Sequence, residues 1–318
     1  MKSKGVEIVV VTTNSARHIG PCVESIMAAG AVPIIADNGS SDGTLEVARS
    51  RCPGVKVVAL GENVGYGQAM NQGFKETAGD IVILSNPDVV YLPDSIPRMV
   101  EFLRKDPRIG ITGPQQMFPD RSWQRSYGDL PGIWSGLKDA VGITTLHSQL
   151  RRAVWPRRID RNPKEVPYLD GAVLAVRREA FLGTKGFSRD FFIYSEECDL
   201  CLRIKKGGWL VVFFPNAQVV HIRGADSAKT EASEQFLRYL VTSQHLLASK
   251  YLPNWKVRVY GRLQVAHYRR LWLLHRLVRF VDGANPVRDG KIRMFDALAR
   301  FWGACYRLGA GTRVESAH

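Results

Sequence analysis

Apolar and polar positions alternate with two different rhythms over the first hundred residues. Val6 to Val11 is an unbroken, largely β-branched run, the pattern of a strand buried on both faces. A polar break at Thr12 to Asn14 leads into a helix ending near Ala29-Gly30. Strands are then predicted at Val32 to Ala36, Val55 to Leu60, Asp80 to Ser85 and Ile109 to Thr112, with helices at Gly43 to Arg51, Tyr66 to Thr77 and Asp94 to Arg104. This alternation predicts an α/β fold, a mostly parallel sheet flanked by helices. Ligands of such sheets bind beyond the carboxyl ends of the strands. Four polar clusters fall there: Thr12-Thr13-Asn14, Asp37 to Asp42, Asn63 to Gly67 and Asn86-Pro87-Asp88.

The rhythm weakens after Gly113. Residues 115–165 mix Gly, Pro, Trp and Arg without a period and read as long connecting loops, with a basic patch at Arg151, Arg152, Arg157 and Arg158. Regularity returns with a strand at Tyr168 to Val176, a helix at Glu196 to Lys206, and strands at Trp209 to Phe214 and Gln218 to His221. A helical tail follows from about Lys229.

Composition adds one asymmetry. Of 44 Lys and Arg and 30 Asp and Glu in 318 residues, 14 and 4 lie from Lys250 onward, so a nearly balanced body carries a basic tail. In that tail Arg258, Arg262, Arg269 and Arg276 share a helical face, with Leu263, Leu271, Leu274, Leu277 and Val278 on the far side. Such a helix suits an anionic membrane surface, and equally a packed hairpin or a homodimer contact. No apolar run approaches the length of a transmembrane helix, and the start is too short in apolar residues for a signal peptide. Five sparse cysteines fit a reducing cytoplasm. The expected location is cytoplasmic, peripheral on the inner face of the plasma membrane.

The clusters carry distinct chemistry. Asp37 and Asn38 can hydrogen-bond a base or ribose edge, while Asp42 can do so or cap the next helix. Asn63, Gly65 and, further along, Asn71 belong to a Gly-rich strand-to-helix turn that suits a phosphate or a tight packing contact. The dinucleotide fingerprint is absent because the third glycine is missing. Asp88, stiffened by Pro87, can hold a hard cation against a diphosphate, or simply close a turn. Glu196, Glu197 and Asp199 crowd three carboxylates into four positions, with Arg203 placed to pair with Asp199. Cys198 and Cys201 lack a second pair and read as helix packing rather than a zinc site. His221 ends a strand beside the cation candidate.

In this order the motifs resemble the family 2 glycosyltransferases with the GT-A fold, over residues 6 to about 228. The match is nearest the rhamnosyltransferase-like branch of bacterial polysaccharide and cell-wall linker synthesis. The carrying residues are Val9 to Asn14, D-N-G-S-S-D-G-T at Asp37 to Thr44, N-x-G-Y-G-x-A-x-N-x-G at Asn63 to Gly73, N-P-D at 86–88, D-G-A at Asp170 to Ala172, the acidic stretch Glu196 to Arg203, and H-x-x-G-x-x-S at His221 to Ser227. The resemblance implies a catalytic domain at 1–228, divided into a nucleotide-binding half (1–113) and an acceptor half (114–228), and a basic helical extension at 229–318. It implies an inverting, metal-dependent transferase that takes a sugar, by the nearest branch L-rhamnose from dTDP-rhamnose, from a nucleotide-diphosphate donor to a glycan or lipid-linked acceptor. A UDP-sugar donor is the alternative.

In residues, the resemblance implies donor contacts at Thr12, Asn14, Asp37, Asn38, Asp42, Asn63, Gly65, Asn71 and Asn86. It places Mg2+ or Mn2+ on Asp88 and His221, and acceptor contacts at Asp170, Gly171, Ala172, Asp199 and Arg203. The aligned base is Glu197, with Glu196 as the alternative. Two departures stand out: Asn86 replaces the first acid of the common D-x-D, and Glu197 replaces the usual aspartate. Nucleic-acid binding is disfavoured because the excess charge sits in a tail rather than around an aromatic platform or reading helix. A nucleotide-dependent oxidoreductase is disfavoured by the missing glycine and the acidic stretch.

Overall fold

The computed structural model describes residues 5–154, 160, 162–222, 233–283 and 285–308, without the side chains of 151–153, 307 and 308. The chain opens with β1 (Glu7–Thr12), α1 (Ile19–Ala28), β2 (Val32–Asp37), α2 (Thr44–Arg51), β3 (Lys56–Ala59), α3 (Tyr66–Lys75) and β4 (Ile81–Ser85), each within about two residues of its predicted place. Then follow β5 (Val89–Tyr91), α4 (Ser95–Lys105), β6 (Ile109–Met117), β7 (Tyr127–Gly128), α5 (Ile133–Val141) and α6 (Ile143–Val154). The remaining elements are β8 (Lys164–Glu165), β9 (Tyr168–Leu169), β10 (Val173–Arg177), α7 (Arg178–Gly183), α8 (Glu196–Lys206), β11 (Leu210–His221), α9 (Glu234–Tyr251), α10 (Asn254–Asp282) and α11 (Pro286–Leu308).

The main sheet runs β3-β2-β1-β4-β10-β6-β11-β5, with β8 beside β11, and β7 pairs β9 separately. Neighbours β3-β2-β1-β4 and β6-β11 are parallel; β10 lies antiparallel between β4 and β6, and β5 antiparallel to β11. The sheet is therefore mostly parallel and flanked by helices, as the alternation predicts. Period-2 alternation along β1 explains the two cores: Ile8 and Val10 face α1 and α4, while Val9 and Val11 face α3 and α8. Each of these aliphatic side chains is fully or almost fully buried, worth roughly 1.5–3 kcal/mol apiece relative to exposure.

Three expectations are corrected. Residues 115–165 are not loops throughout: β6 runs on to Met117, and α5 and α6 form, with Gly142 in the left-handed region ending α5. Gly113 and Pro114 lie inside β6, a wholly buried strand, where Gly113 fits against Leu169. Tyr168 to Val176 is two strands broken at 170–172. The two strands expected at 209–221 are one, because a register shift between Phe214 and Gln218 absorbs Pro215.

The chain forms two compact units, Met1–Gly128 with Pro156–Arg223, and Asp129–Trp155 with Gly224–His318. Residues 129–155 thus group with the C-terminal helices rather than with the acceptor half expected at 114–228. The second unit is helical, with Leu237, Val241, Tyr260 and Leu298 around the fully buried Trp302. Arg258, Arg262, Arg269 and Arg276 are exposed. Of the opposed leucines, Leu263 meets α5 at Gly136, whereas Leu274, Leu277 and Val278 are exposed. Among the described residues no helix is long and apolar enough to cross a membrane. Arg157, Arg158, Gly224, Ser227 and the start of the tail at Lys229 lie outside the described residues, as do the side chains of Arg151 and Arg152.

Candidate active site

The polar clusters converge at the carboxyl ends of β1, β2 and β4. Parallel pairing sets Thr12 against Asp37, and Asn38 N–H donates to the Thr12 carbonyl at 2.8 Å. Much of the local polarity stitches the rim together. Asn14, in the left-handed region (φ 47°), accepts from Ser41 N–H at 2.8 Å, and Asp42 accepts from Ala16 N–H at 3.1 Å and Thr44 N–H at 3.1 Å. Burial works against ionisation of Asp42, but the hydrogen bonds from Thr44 and Ala16 hold its carboxyl below the usual range. Asn38 donates to Asn63 Oδ1 and accepts from Val64 N–H, both at 2.8 Å, while Gly65 N–H also bonds Asn63 Oδ1 at 3.0 Å.

The structure thus gives several expected donor contacts a different role. Asn38 and Asn63 clamp two turns to each other. Asn71 donates to and accepts from the Phe187 backbone, both at 2.9 Å, so both ends of its amide hold the turn there. Gly65 (φ 87°) is needed for packing, because a Cβ there would lie 2.6 Å from the Phe192 carbonyl. Asp199 is completely buried against Arg203 at 2.7 Å, and Arg203 also donates to the carbonyls of Thr184 at 2.7 Å and Gly186 at 2.6 Å. That pair pins the 184–187 turn to α8 and leaves Asp199 no exposed surface for an acceptor. A carboxylate and a cation at i, i+4 signal the pair in sequence; its burial depends on the packing of α8.

Other atoms at the rim stay unsatisfied. Thr12 Oγ1, Asp37 Oδ1, Asn86 Oδ1 and Glu196 Oε2 are buried and have no hydrogen-bond partner among the described residues. Ten other buried polar atoms of the described residues also lack such a partner, so it is the position of these four at the strand tips and the start of α8 that leaves them open to a ligand.

Asp88 and His221 meet because β5 pairs antiparallel with β11. Val89 sits opposite His221, and Ile222 N–H bonds the Asp88 carbonyl at 3.0 Å. The Asp88 carboxylate lies 3.4 Å from His221 Nε2. Burial opposes its ionisation, but the His221 hydrogen bond and charge, with a smaller effect from His18, hold its carboxyl below the usual range.

Gln116, a residue that no motif flags, controls this pair. Its Nε2 donates to Asp170 Oδ1 at 3.1 Å, and its Oε1 lies 3.0 Å from His221 Nδ1. A carboxylate only accepts, so the Gln116 amide nitrogen must face Asp170 and its oxygen must face His221. Nδ1 therefore carries the proton, and in the neutral ring the Nε2 lone pair points at Asp88. Two acceptors across 3.4 Å require a cation or a proton between them. A ring held by its other nitrogen is the usual arrangement of a metal-ligating histidine.

The donor set fits a divalent cation of the Mg2+ or Mn2+ type. Among the described residues no group of three or more His, Cys, Asp or Glu forms a metal site. Two protein ligands leave most coordination positions to phosphate and water oxygens, the usual condition for such ions in phosphate sites.

The acidic helix start stands beside the D-G-A turn. Ala172 N–H bonds Asp170 Oδ1 at 3.2 Å, and Asn86 N–H bonds the Ala172 carbonyl at 2.9 Å, tying this turn to the tip of β4. Gly171 faces Glu197, whose Cβ would be 3.3 Å from a Cβ at 171, and Tyr66 donates to the Gly171 carbonyl at 3.2 Å. Tyr194 and Ser195 both adopt left-handed backbone immediately before Glu196, a local strain of the kind concentrated at functional sites. Burial, then the charge of Glu197, pushes the Glu196 carboxyl well above the glutamate range. The Tyr66 phenol is likewise raised, by burial and then by Glu196, Glu197 and Asp170. Glu196 is buried, whereas Glu197 is half-buried. Cys198 and Cys201 are buried and free, and burial pushes the Cys201 thiol up to about 12, as expected of packing residues.

A mostly parallel sheet with polar strand tips on one rim is the usual setting of a ligand site, and comparisons give the family. Residues 7–182 match the family model described as "Glycosyl transferase family 2", and 132–288 match "Glycosyl transferase family group 2". An N-acetylglucosaminyl-diphospho-decaprenol L-rhamnosyltransferase of Mycobacterium tuberculosis is 34% identical over 241 residues, 71% of this chain and 78% of that protein. Among solved structures, a mannosyltransferase from Pyrobaculum calidifontis in complex with GDP-Man and Mn2+ superposes with TM-score 0.57 at 17% identity, covering 94% of this chain and 85% of its own. GalNAc-T7 with UDP, GalNAc and Mn2+ reaches 0.61 at 16% identity, over 84% of this chain and 52% of its own. The chain belongs to the family 2 glycosyltransferases, in the rhamnosyltransferase branch, and is a glycosyltransferase with the GT-A fold.

Proposed function

We propose that the protein transfers L-rhamnose from dTDP-rhamnose to an N-acetylglucosaminyl-diphospho-polyprenol acceptor, with inversion at the anomeric carbon. The observation that carries the reading is the chain of contacts from Asp88 through His221 and Gln116 to Asp170, in the turn whose Gly171 packs against Glu197 at the start of α8. The 34% identity to the mycobacterial rhamnosyltransferase, spanning most of both chains, supports this donor and acceptor.

In this reading Thr12 and Asp37 hold the nucleoside, and Asn86 orients the donor at the tip of β4. Asp88 and His221 hold Mg2+ or Mn2+, with the carboxylate–imidazole pair favouring Mn2+. The bound ion supplies Lewis-acid neutralisation of the departing diphosphate. The Glu197 carboxylate accepts the proton of the acceptor hydroxyl. The hydroxyl oxygen then bonds the anomeric carbon as the bond from that carbon to the diphosphate oxygen breaks, releasing dTDP. Glu197 is half-buried and faces Gly171, whereas Glu196 is buried, which supports Glu197 in the role. Asp170, Gly171 and Ala172 shape the acceptor side.

The strongly basic second unit supports peripheral attachment to an anionic membrane, where a polyprenyl acceptor resides. The test is transfer by the purified protein from dTDP-rhamnose, UDP-N-acetylglucosamine and GDP-mannose to a synthetic acceptor with a short polyprenyl chain. Product from dTDP-rhamnose alone supports the proposal; product from the UDP donor alone refutes the donor assignment.

A further inference from the structure

We infer that α6 is an interfacial helix that seats an apolar stripe in the surface of an anionic lipid bilayer. This gives a structural element to the membrane attachment proposed above and rests on that reading. At about 100° per residue, Ile143, Leu146, Leu150 and Val154 fall within roughly 80° of one another. Each of the four is more than half exposed. The opposite face carries Thr144, Thr145 and Ser148, and these hydroxyl residues, with Asp139 and His267, line a cavity of about 370 Å³ within the same unit.

The helix is thus turned inside out. In water a helix of a globular unit directs its apolar stripe to the core and its polar face outward. Here the half-buried hydroxyl residues border an open cleft, and four aliphatic side chains form an outward row, a patch that marks an interaction surface. In α5, Trp134 and Val141 are exposed too, and an exposed Trp suits the boundary between headgroups and acyl chains.

Charge identifies the occupant. The second unit holds 19 Lys and Arg against 9 Asp and Glu, and α6 itself contains Arg151 and Arg152 but no acid. A second copy would bring the same excess of positive charge to the contact, whereas anionic headgroups neutralise it. Of the longer segments outside the described residues, 223–232 contains no large apolar residue, 309–318 only Val314, and 155–159 only Trp155 and Ile159, directly after the helix.

Co-sedimentation of the full chain with phosphatidylglycerol-containing vesicles, against pure phosphatidylcholine vesicles, tests the inference. The wild type pellets with the anionic vesicles, and Leu146→Glu/Leu150→Glu lowers its partitioning roughly tenfold or more. The variant retains its thermal melt and its sugar transfer to a water-soluble acceptor analogue. Equal partitioning of wild type and variant, or no binding by the wild type, overturns the inference. So does a variant that changes the sedimented mass of the protein without vesicles, which would assign the stripe to a second copy. Vesicle binding lost in the variant, with no transfer by either protein, would refute the proposed reaction and leave the helix assignment standing.

Discussion

Gln116→Leu isolates the group that fixes the His221 ring. The side chain is 1% exposed and links His221 Nδ1 (3.0 Å) to Asp170 Oδ1 (3.1 Å). Leucine keeps most of the volume but removes both hydrogen bonds. Asp170 keeps the Ala172 N–H, so the main orphan is the His221 Nδ1–H, at a cost of about 1–3 kcal/mol. The ring is then free to move its proton to Nε2, the wrong tautomer for holding a cation beside Asp88. Loss of such an outer partner weakens metal binding by roughly 10–100-fold, about 1.4–2.8 kcal/mol. The assay is Mn2+ titration followed by electron paramagnetic resonance, with dTDP present, alongside 15N NMR of the protein loaded with diamagnetic Mg2+ to read the His221 tautomer. Wild type shows the proton on Nδ1, and the variant binds Mn2+ at least tenfold more weakly while binding dTDP alone as before. Unchanged Mn2+ affinity with an unchanged tautomer refutes the assignment of Gln116.

Three further outcomes follow from the same geometry. Asp199→Ala strands a buried guanidinium and frees the 184–187 turn, and lowers stability in a denaturant melt by about 3–5 kcal/mol; a change below 1 kcal/mol contradicts the anchoring role. Asp37→Asn keeps the fold but weakens dTDP binding by about 1.5–3 kcal/mol, measured by calorimetry, because a charged acceptor at the tip of β2 is lost; equal affinity removes Asp37 from the donor site. The Glu196 carboxyl is raised when folded, so the folded state binds more protons there than the unfolded one. Its contribution is fully present below the ordinary value near 4.5 and is lost as pH rises through the raised value. Glu196→Gln therefore gains thermal stability relative to wild type as pH rises from 4.5 to neutral, and a gap independent of pH refutes the assignment.

Much of this arrangement was legible from sequence because it follows local rules. The β-branched run at Val6 to Val11 and the turn clusters after it gave the first half almost element by element. Asp88, His221, Glu196 and Glu197 stood out as charged or titratable groups at strand and helix ends. What escaped depends on tertiary context. Gln116 sits in β6, in a stretch without a period that reads as a loop, and its importance lies wholly in its two partners. Helix α6 begins Ile143-Thr144-Thr145, β-branched residues of low helix propensity, and directs its apolar row outward, so its sequence does not read as a packed helix. Asn38, Asn63 and Asn71 have the chemistry of ligand contacts, but the backbone groups they engage come from turns up to 116 residues away. Sequence spacing carries no trace of such pairings.

The central claim is tested most directly by the rate of sugar transfer in Glu197→Gln and Asp88→Asn. Both variants are purified, checked for an unchanged melt and supplied with dTDP-rhamnose, acceptor and Mn2+. General-base catalysis is worth about 10²–10⁴-fold, so Glu197→Gln falls by at least a hundredfold in kcat with little change in donor affinity. Asp88→Asn loses activity chiefly through weakened Mn2+ binding. Transfer at wild-type rates in both variants would contradict the account and move the chemistry to other residues.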